Sequence, residues 1–314
     1  MADLRQRISA WGYIAGWKVT AALPDRLARA MFNGIADLAS KKGTQPEQLR
    51  KNLARVVGED NVTTDLMRRS MRSYMRYWRE AFRLPTMAGH DLANRVNEGF
   101  VDSGNETVLE AIKAGQGLVL VLPHMGNWDM AGMWLVDRAG PFSTVAERLK
   151  PESLFDAFVE YRESLGFEII AHEGTQESPF HMLEKRLNQG GIVCLMGDRD
   201  LSGHGVPVRF FGETAFMPRG AALLAQRTGA RLIVAGLGFD ETADGHERWV
   251  QRVREITNLD RPVEEIVQEQ ASIFEEFISA HPADWHMLQP LFAADLSDRR
   301  RARLGLDPEG GARS

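Results

Sequence analysis

The run Leu118-Val119-Leu120-Val121-Leu122, followed at once by Pro123-His124-Met125-Gly126-Asn127-Trp128-Asp129, constrains this chain more than any other segment. Five consecutive apolar residues bounded by turn formers read as a strand buried on both faces. Gly126 and Asn127 are residues that a tight turn uses, and the pattern from about Asn127 to Asp137 reads as a helix. A buried strand that feeds a helix through a short turn is a unit of an open α/β sheet. Such sheets collect their chemistry at the C-terminal ends of the strands. The turn sets His124 at that edge.

The His-x-x-x-x-Asp spacing carries little weight by itself. With 8 His and 43 acidic residues in 314 positions, about one such pair arises by chance, and His172 with Glu177 is such an accident. On one continuous helix, five residues advance by about 500° and leave the side chains roughly 140° apart. His124 and Asp129 can meet only with the histidine in the turn and the aspartate in the first helical turn. The competing interpretation is a capped strand-to-helix turn with a structural histidine.

The rest of the chain alternates in the same way. Helical patterns fill residues 1–84. Strands are predicted at Leu118–Leu122, Ser143–Ala146, Glu168–Ala171, Ile192–Met196, Leu232–Phe239 and Arg248–Ile256, with a hairpin arm at Val206–Phe211. Helices are predicted at Thr107–Lys113, Leu154–Leu165, Phe180–Asn188, Arg219–Thr228 and from Pro262 to Ser279. Helices interleaved with apolar strands predict an α/β fold: a central, mostly parallel sheet with helices on both faces, preceded by N-terminal amphipathic helices. The expected organisation is one structural unit. Residues 1–86 form a basic, membrane-facing helical region, residues 87–296 an α/β core, and residues 297–314 a charged, poorly ordered tail.

Charge divides the chain unevenly. Residues 1–86 carry 16 Lys+Arg against 8 Asp+Glu, which leaves 22 against 35 in the remainder. A basic third on an acidic body points to an anionic partner. Arg68, Arg72, Arg76, Arg79 and Arg83 form one helical stripe, beside a second of Met67, Met71, Tyr74, Met75, Trp78 and Phe82. That pairing suits a helix lying in a membrane interface; an ordinary amphipathic helix packed on the core reads equally well. Leu4, Ile8, Trp11 and Ile14 form a shorter stripe, followed by Trp17-Lys18, and tryptophan beside basic residues suits headgroup depth. An anionic membrane surface is the expected partner, and no nucleic-acid module is readable. No apolar run approaches the roughly 18 residues of a membrane span. The early Asp3 argues against a signal peptide. The single cysteine, Cys194, fits a reducing compartment and reads as a small buried hydrophobe.

Familiar sites are missing from the sequence. It has no Gly-x-x-x-x-Gly-Lys loop and no Gly-x-Ser-x-Gly elbow, and Gly236 and Gly238 lack the rest of a dinucleotide fingerprint. The pair His281 and His286 reads as part of a packed terminal turn, and no metal site is expected. Direct transfer driven by a base is then the leading chemistry.

His124-Met125-Gly126-Asn127-Trp128-Asp129, Asp198-Arg199-Asp200, Gly205-Val206-Pro207-Val208-Arg209-Phe210-Phe211-Gly212-Glu213, Pro218 and His281-Pro282-Ala283-Asp284-Trp285 together resemble the bacterial lipid A (lauroyl/myristoyl) acyltransferase family, over residues 5 to 292. Val145-Ala146-Glu147-Arg148-Leu149 and Tyr161-Arg162-Glu163-Ser164-Leu165-Gly166 look most like its actinobacterial phosphatidylinositol mannoside acyltransferases. The chain departs from the glycerol-phosphate acyltransferases, whose Phe-Pro-Glu-Gly-Thr-Arg motif is only echoed by His172-Glu173-Gly174-Thr175-Gln176.

The resemblance implies transfer of an acyl group, palmitoyl by expectation, from acyl-CoA to a mannose hydroxyl of a phosphatidylinositol mannoside at the cytoplasmic face of the plasma membrane. Acyl-CoA is then a co-substrate and no cofactor is needed. His124 would be the general base, oriented by Asp129 or Asp198. Backbone N–H groups near Gly126-Asn127 would bind the oxyanion. Arg162, and more loosely Arg199 and Arg227, would anchor coenzyme A phosphates; Glu147 would position the acceptor; Asn127 and His204 complete the expected substrate contacts. The alternatives are another lipid acceptor, such as a lipid A precursor, or a non-catalytic membrane-peripheral binding protein.

Overall fold

The computed structural model describes residues 16–306 apart from 18, 148–151, 173, 175, 176, 201, 243, 244 and 305. In chain order, helices α1 (Asp25–Ala39), α2 (Glu47–Val57), α3 (Thr64–Met87), α4 (His90–Asn97) and α5 (Gly104–Ala114) lead to strand β1 (Leu118–Leu122). Then α6 (Trp128–Ala139), β2 (Phe142–Ala146), α7 (Glu152–Ser164), β3 (Phe167–Ala171), α8 (Pro179–Asn188) and β4 (Ile192–Met196) alternate. The hairpin β5 (Val206–Phe210) and β6 (Glu213–Met217), α9 (Gly220–Thr228), β7 (Arg231–Glu241), β8 (Glu247–Ile256), α10 (Val263–Ala280) and α11 (Asp298–Arg303) complete the order.

The main sheet runs β3-β2-β4-β1-β7-β8. Its first five strands are parallel, and β8 pairs antiparallel with β7. β1 lies between β4 and β7, and all five of its residues are buried. Val119 and Val121 join one core cluster, Leu118 and Leu120 the other. This two-sided burial explains the unbroken apolar run, since each side chain gains about 2 kcal/mol by leaving water whichever face it lies on. The expected mixed α/β architecture is what the molecule shows. The predicted arm at Val206–Phe211 is β5, paired with β6 through a turn in which Phe211 and Gly212 both have positive φ, as a two-residue hairpin requires.

The N-terminal helices have a small core of their own: Ala36, Leu49, Leu53, Leu66, Met67 and Met71, against which Ala283 and Leu288 also pack. α3 starts where expected of a capped helix, with Thr63 Oγ1 accepting the Leu66 N–H at 3.1 Å. Its arginine stripe is not a free basic face, which corrects the interfacial reading of this helix. Arg68 pairs with Asp65 and Arg72 with Asp37. Arg76 pairs with Glu80 and Arg79 with Glu247, while Arg83 donates to the Leu23 carbonyl. Trp17 is likewise packed against the protein, partly buried on Phe82, Phe158 and Tyr161. Among the described residues, the large apolar side chains left exposed are instead Val19 and, on α1, Leu27, Met31, Ile35 and Leu38. The stripe of Leu4, Ile8, Trp11 and Ile14 lies outside the described residues. Among the described residues, no helix is long and apolar enough to cross a membrane.

The tail differs from expectation as far as residue 306. Residues 298–303 are helical, Arg300 donates to the Asp200 carbonyl, and Leu306 packs with Phe216, Ala293 and Leu296. A charged composition hid the few apolar residues that dock it. Residues 307–314 lie outside the described ones.

Candidate active site

The turn after β1 is held from two sides. Gly126 has φ 58°, and a Cβ there would sit 2.7 Å from the Leu237 backbone, so only glycine fits. Its N–H donates to the Asp284 carbonyl at 2.9 Å, and the His286 N–H donates to the His124 carbonyl at 2.7 Å. The segment after α10 thus runs beside the turn, with Met125 and Trp285 paired in an antiparallel bridge.

The turn directs His124 at Asp198, which stands just past the end of the neighbouring strand β4. His124 Nδ1 lies 2.5 Å from Asp198 Oδ1, and the His124 backbone N–H donates to Oδ2 at 2.9 Å. Trp285 Nε1 also donates to Oδ2, at 3.2 Å. Asp198 is fully buried, whereas the His124 side chain keeps 32% of its surface open. Burial alone would lower the imidazole pKa, but the Asp198 carboxylate outweighs it, and the net shift is upward from 6.5. For Asp198 burial acts upward, and His124, its backbone N–H and Trp285 together hold the carboxyl below its usual range. With Nδ1 on Asp198, Nε2 is the nitrogen left for other work, and it makes no hydrogen bond among the described residues.

His124 and Asp129 do not pair. Asp129 is buried at the start of α6, where its Oδ1 accepts from Arg162 Nε at 3.0 Å and its Oδ2 from the Tyr77 hydroxyl at 3.1 Å. Burial opposes the charge on Arg162, but Asp129 and Tyr77 hold it, and its pKa is raised. Burial followed by the Asp129 charge pushes the Tyr77 hydroxyl well above its ordinary value.

The expected substrate contacts divide. Glu147, at the end of β2, and Arg199, next to Asp198, border the same cavities as His124. The Arg199 Nε is buried with no partner among the described residues. Burial and then the nearby Arg300 charge lower the pKa of Arg199. His204 is an exposed loop residue at the larger cavity. Arg162 lines both cavities, but its guanidinium is engaged with Asp129. Asn127 is a helix cap: its Oδ1 accepts the Met130 N–H at 3.1 Å, and its Nδ2 donates to Glu80 Oε2 at 2.7 Å. Both ends of that amide are used internally, which corrects its assignment as a substrate contact. Arg227 is also corrected. It sits in the last turn of α9 and borders neither cavity; its side chain stacks over Phe180 and lies 3.7 Å from Glu184. The oxyanion proposal changes too, because the Gly126 N–H is taken by Asp284.

Two cavities meet at His124. The smaller, about 280 Å³, is lined by Tyr74, Tyr77, Trp78, Trp128, Phe155 and Phe158 with His124, Glu147, Arg199 and His286. The larger, about 650 Å³, passes from His124, Glu147 and Arg199 to apolar walls that include Leu120, Trp134, Leu135, Phe142, Phe167, Leu183 and Leu224. Cys194 lines this wall, its thiol pKa pushed up by burial. Sequence reasoning missed Tyr77, Trp285 and His286 at the site, and Ser73, Asp284 and Glu80 behind it. Polar residues within the apolar stripe of α3 were a usable signal: Glu80 is buried and accepts from Asn127 and from Trp249 Nε1 at 2.9 Å.

An acid-paired histidine at the C-terminal edge of a parallel sheet, between an aromatic pocket and a larger, mostly apolar cavity, is an arrangement suited to an enzyme that brings an apolar group and a second substrate together. Residues 2–294 match the model of the bacterial lipid A biosynthesis acyltransferases, and the chain belongs to that family. It is 50% identical over 297 residues to a phosphatidylinositol mannoside acyltransferase of Mycolicibacterium smegmatis, covering 94% of each chain. A protein of the same name from Mycobacterium tuberculosis is 50% identical over 296 residues, covering 94% of this chain and 92% of the relative.

Proposed function

We propose that this protein transfers a fatty acyl group, palmitoyl in the first instance, from acyl-CoA to a mannose hydroxyl of a phosphatidylinositol mannoside, with His124 as general base. The observation that carries the chemistry is the 2.5 Å contact of His124 Nδ1 with buried Asp198, on a side chain that still opens into both cavities. Nε2 takes the hydroxyl proton as the oxygen attacks the thioester carbonyl; Nδ1–H stays on Asp198, which stabilises the imidazolium. The tetrahedral intermediate collapses by breaking the C–S bond, and Nε2 returns the proton to the leaving thiolate. No covalent enzyme intermediate is needed, since the thioester is already activated.

In this reading the larger cavity takes the acyl chain and the aromatic pocket the sugar. Arg199, cationic and without an ion-pair partner among the described residues, meets coenzyme A phosphate. Glu147 orients the acceptor. The first turn of α6 leaves the Trp128 and Asp129 amides without intrahelical acceptors, and these are the proposed oxyanion donors. The exposed residues Leu27, Met31, Ile35 and Leu38 recur at helical spacing on α1. With Arg26, Lys41 and Lys42 close in sequence, they support peripheral docking on the cytoplasmic face of an anionic membrane. The shared name of the two relatives supports the acceptor.

The test is transfer of radiolabelled palmitoyl from palmitoyl-CoA to phosphatidylinositol mannoside. Product formation by wild type is expected. Transfer only to a different lipid would sink the acceptor assignment, and no transfer to any lipid would sink the function.

A further inference from the structure

A second histidine, outside the His124–Asp198 pair, lines the aromatic pocket. His286 is only 7% exposed, yet it borders the smaller cavity together with Tyr74, Trp78, His124, Glu147 and Arg199. Its two nitrogens are in different situations. Nε2 lies 2.9 Å from Ser73 Oγ, and Ser73 Oγ donates to Asp284 Oδ1 at 2.7 Å. A serine has one hydroxyl proton. With that proton on Asp284, the Ser73 oxygen must accept, so the ring proton of His286 sits on Nε2. Asp284 is fixed from its other side by the Phe239 N–H at 2.8 Å to Oδ2. Nδ1 is therefore a bare acceptor, buried and without a partner among the described residues. Burial, and then the charge of nearby His124, push the pKa of His286 down to about 3, so the ring stays neutral.

A buried acceptor with no donor is costly, and proteins seldom leave one. This one stands beside the reaction centre, because the His286 backbone is hydrogen-bonded to that of His124. We infer that the aromatic pocket adjusts around a bound sugar so that His286 Nδ1, closed off from solvent here, accepts a hydrogen bond from a second hydroxyl of the acceptor, and so selects polyol acceptors and sets which hydroxyl reaches His124. The inference rests on the acyltransferase reading and assigns its acceptor subsite a specificity residue. Aromatic walls with a few polar groups suit such a ligand, whose C–H faces pack on rings while its hydroxyls find acceptors.

The experiment compares kcat/KM for phosphatidylinositol mannoside and for acceptors with single mannose hydroxyls removed, using wild type, His286→Gln and His286→Asn. Asn can return an acceptor near the Nδ1 position; Gln keeps a group near Nε2 and Ser73 but removes Nδ1. Wild type should lose roughly tenfold or more on one monodeoxy acceptor, since that analogue leaves Nδ1 unpaired. His286→Gln should treat that analogue and the full acceptor alike, and His286→Asn should recover part of the preference. Thermal midpoints separate folding losses from loss of preference, and the wild-type analogue series stands even if both variants unfold. Equal treatment of every monodeoxy acceptor by wild type would overturn the inference, as would an unchanged preference in His286→Gln. Either result leaves the acyltransferase reading intact. Absence of wild-type transfer to any mannosylated lipid would overturn that reading and this inference with it.

Discussion

The end of β4 and the start of α6 each bury a carboxylate close to His124, and the molecule uses the two differently. Asp198 meets an imidazole, a group that gains and loses a proton near neutrality and whose ring opens into the cavities. Asp129 meets a guanidinium and a phenol, neither of which changes charge in that range, and it ties α6 to α7 and α3. A buried acid is therefore chemical or architectural according to its partner. Proximity in sequence misleads here: the acid five residues from the histidine pairs with Arg162 and Tyr77, and the acid 74 residues away is the one that meets the histidine.

The first way to break this comparison is to remove the histidine. His124→Ala should lower transfer about 10³-fold or more; because it leaves the buried Asp198 carboxylate without its imidazole partner, the thermal midpoint should fall as well, and activity is compared at equal folded fraction. Retained activity would end the base assignment. Asp198→Asn comes next, with an expected loss of about 10²-fold or more in kcat as the tautomer and orientation of His124 are disturbed.

Asp129→Ala should act mainly on the fold. It leaves Arg162 and Tyr77 facing an empty acceptor, for an expected loss of about 3 kcal/mol in stability by denaturant titration. Any accompanying loss of activity should follow the folded fraction and the displacement of α6. Pairing it with Arg162→Met should recover part of the stability, and strict additivity of the two would show that the ion pair is not the relevant unit. The smallest effects concern the arginines. Arg199→Gln should raise KM for acyl-CoA by roughly tenfold at low salt, with less change in kcat. Arg227→Gln, outside both cavity linings, should change neither. Equal effects for the two would dissolve the distinction drawn between them.

Much of the scaffold was legible in the sequence because its signals are local. β1 and β4 appear with the residues that their apolar runs mark, and β2 and β3 each begin one residue earlier, at Phe142 and Phe167. The chemistry was less legible. Choosing Asp198 over Asp129 required the adjacency of β1 and β4, which periodicity does not report. Trp285, Asp284 and His286 reach the site by folding back from the end of α10, and Ser73 meets Asp284 across 211 positions. The arginines of α3 looked like a membrane face because a stripe of charge reads the same whether water, lipid or buried carboxylates lie opposite. Here Glu80 and Glu247 lie opposite Arg76 and Arg79.

The most direct test of the central claim is the pH dependence of kcat/KM for wild type, Asp198→Asn and Asp129→Asn. A base must be deprotonated to act, so the rate should rise through the pKa of His124, which Asp198 holds above 6.5. Removing the Asp198 charge leaves burial to dominate, so the acid limb of Asp198→Asn should move to lower pH while its plateau falls. The limb of Asp129→Asn should stay where wild type has it. A limb that moves down in Asp129→Asn and stays in place in Asp198→Asn would contradict the account.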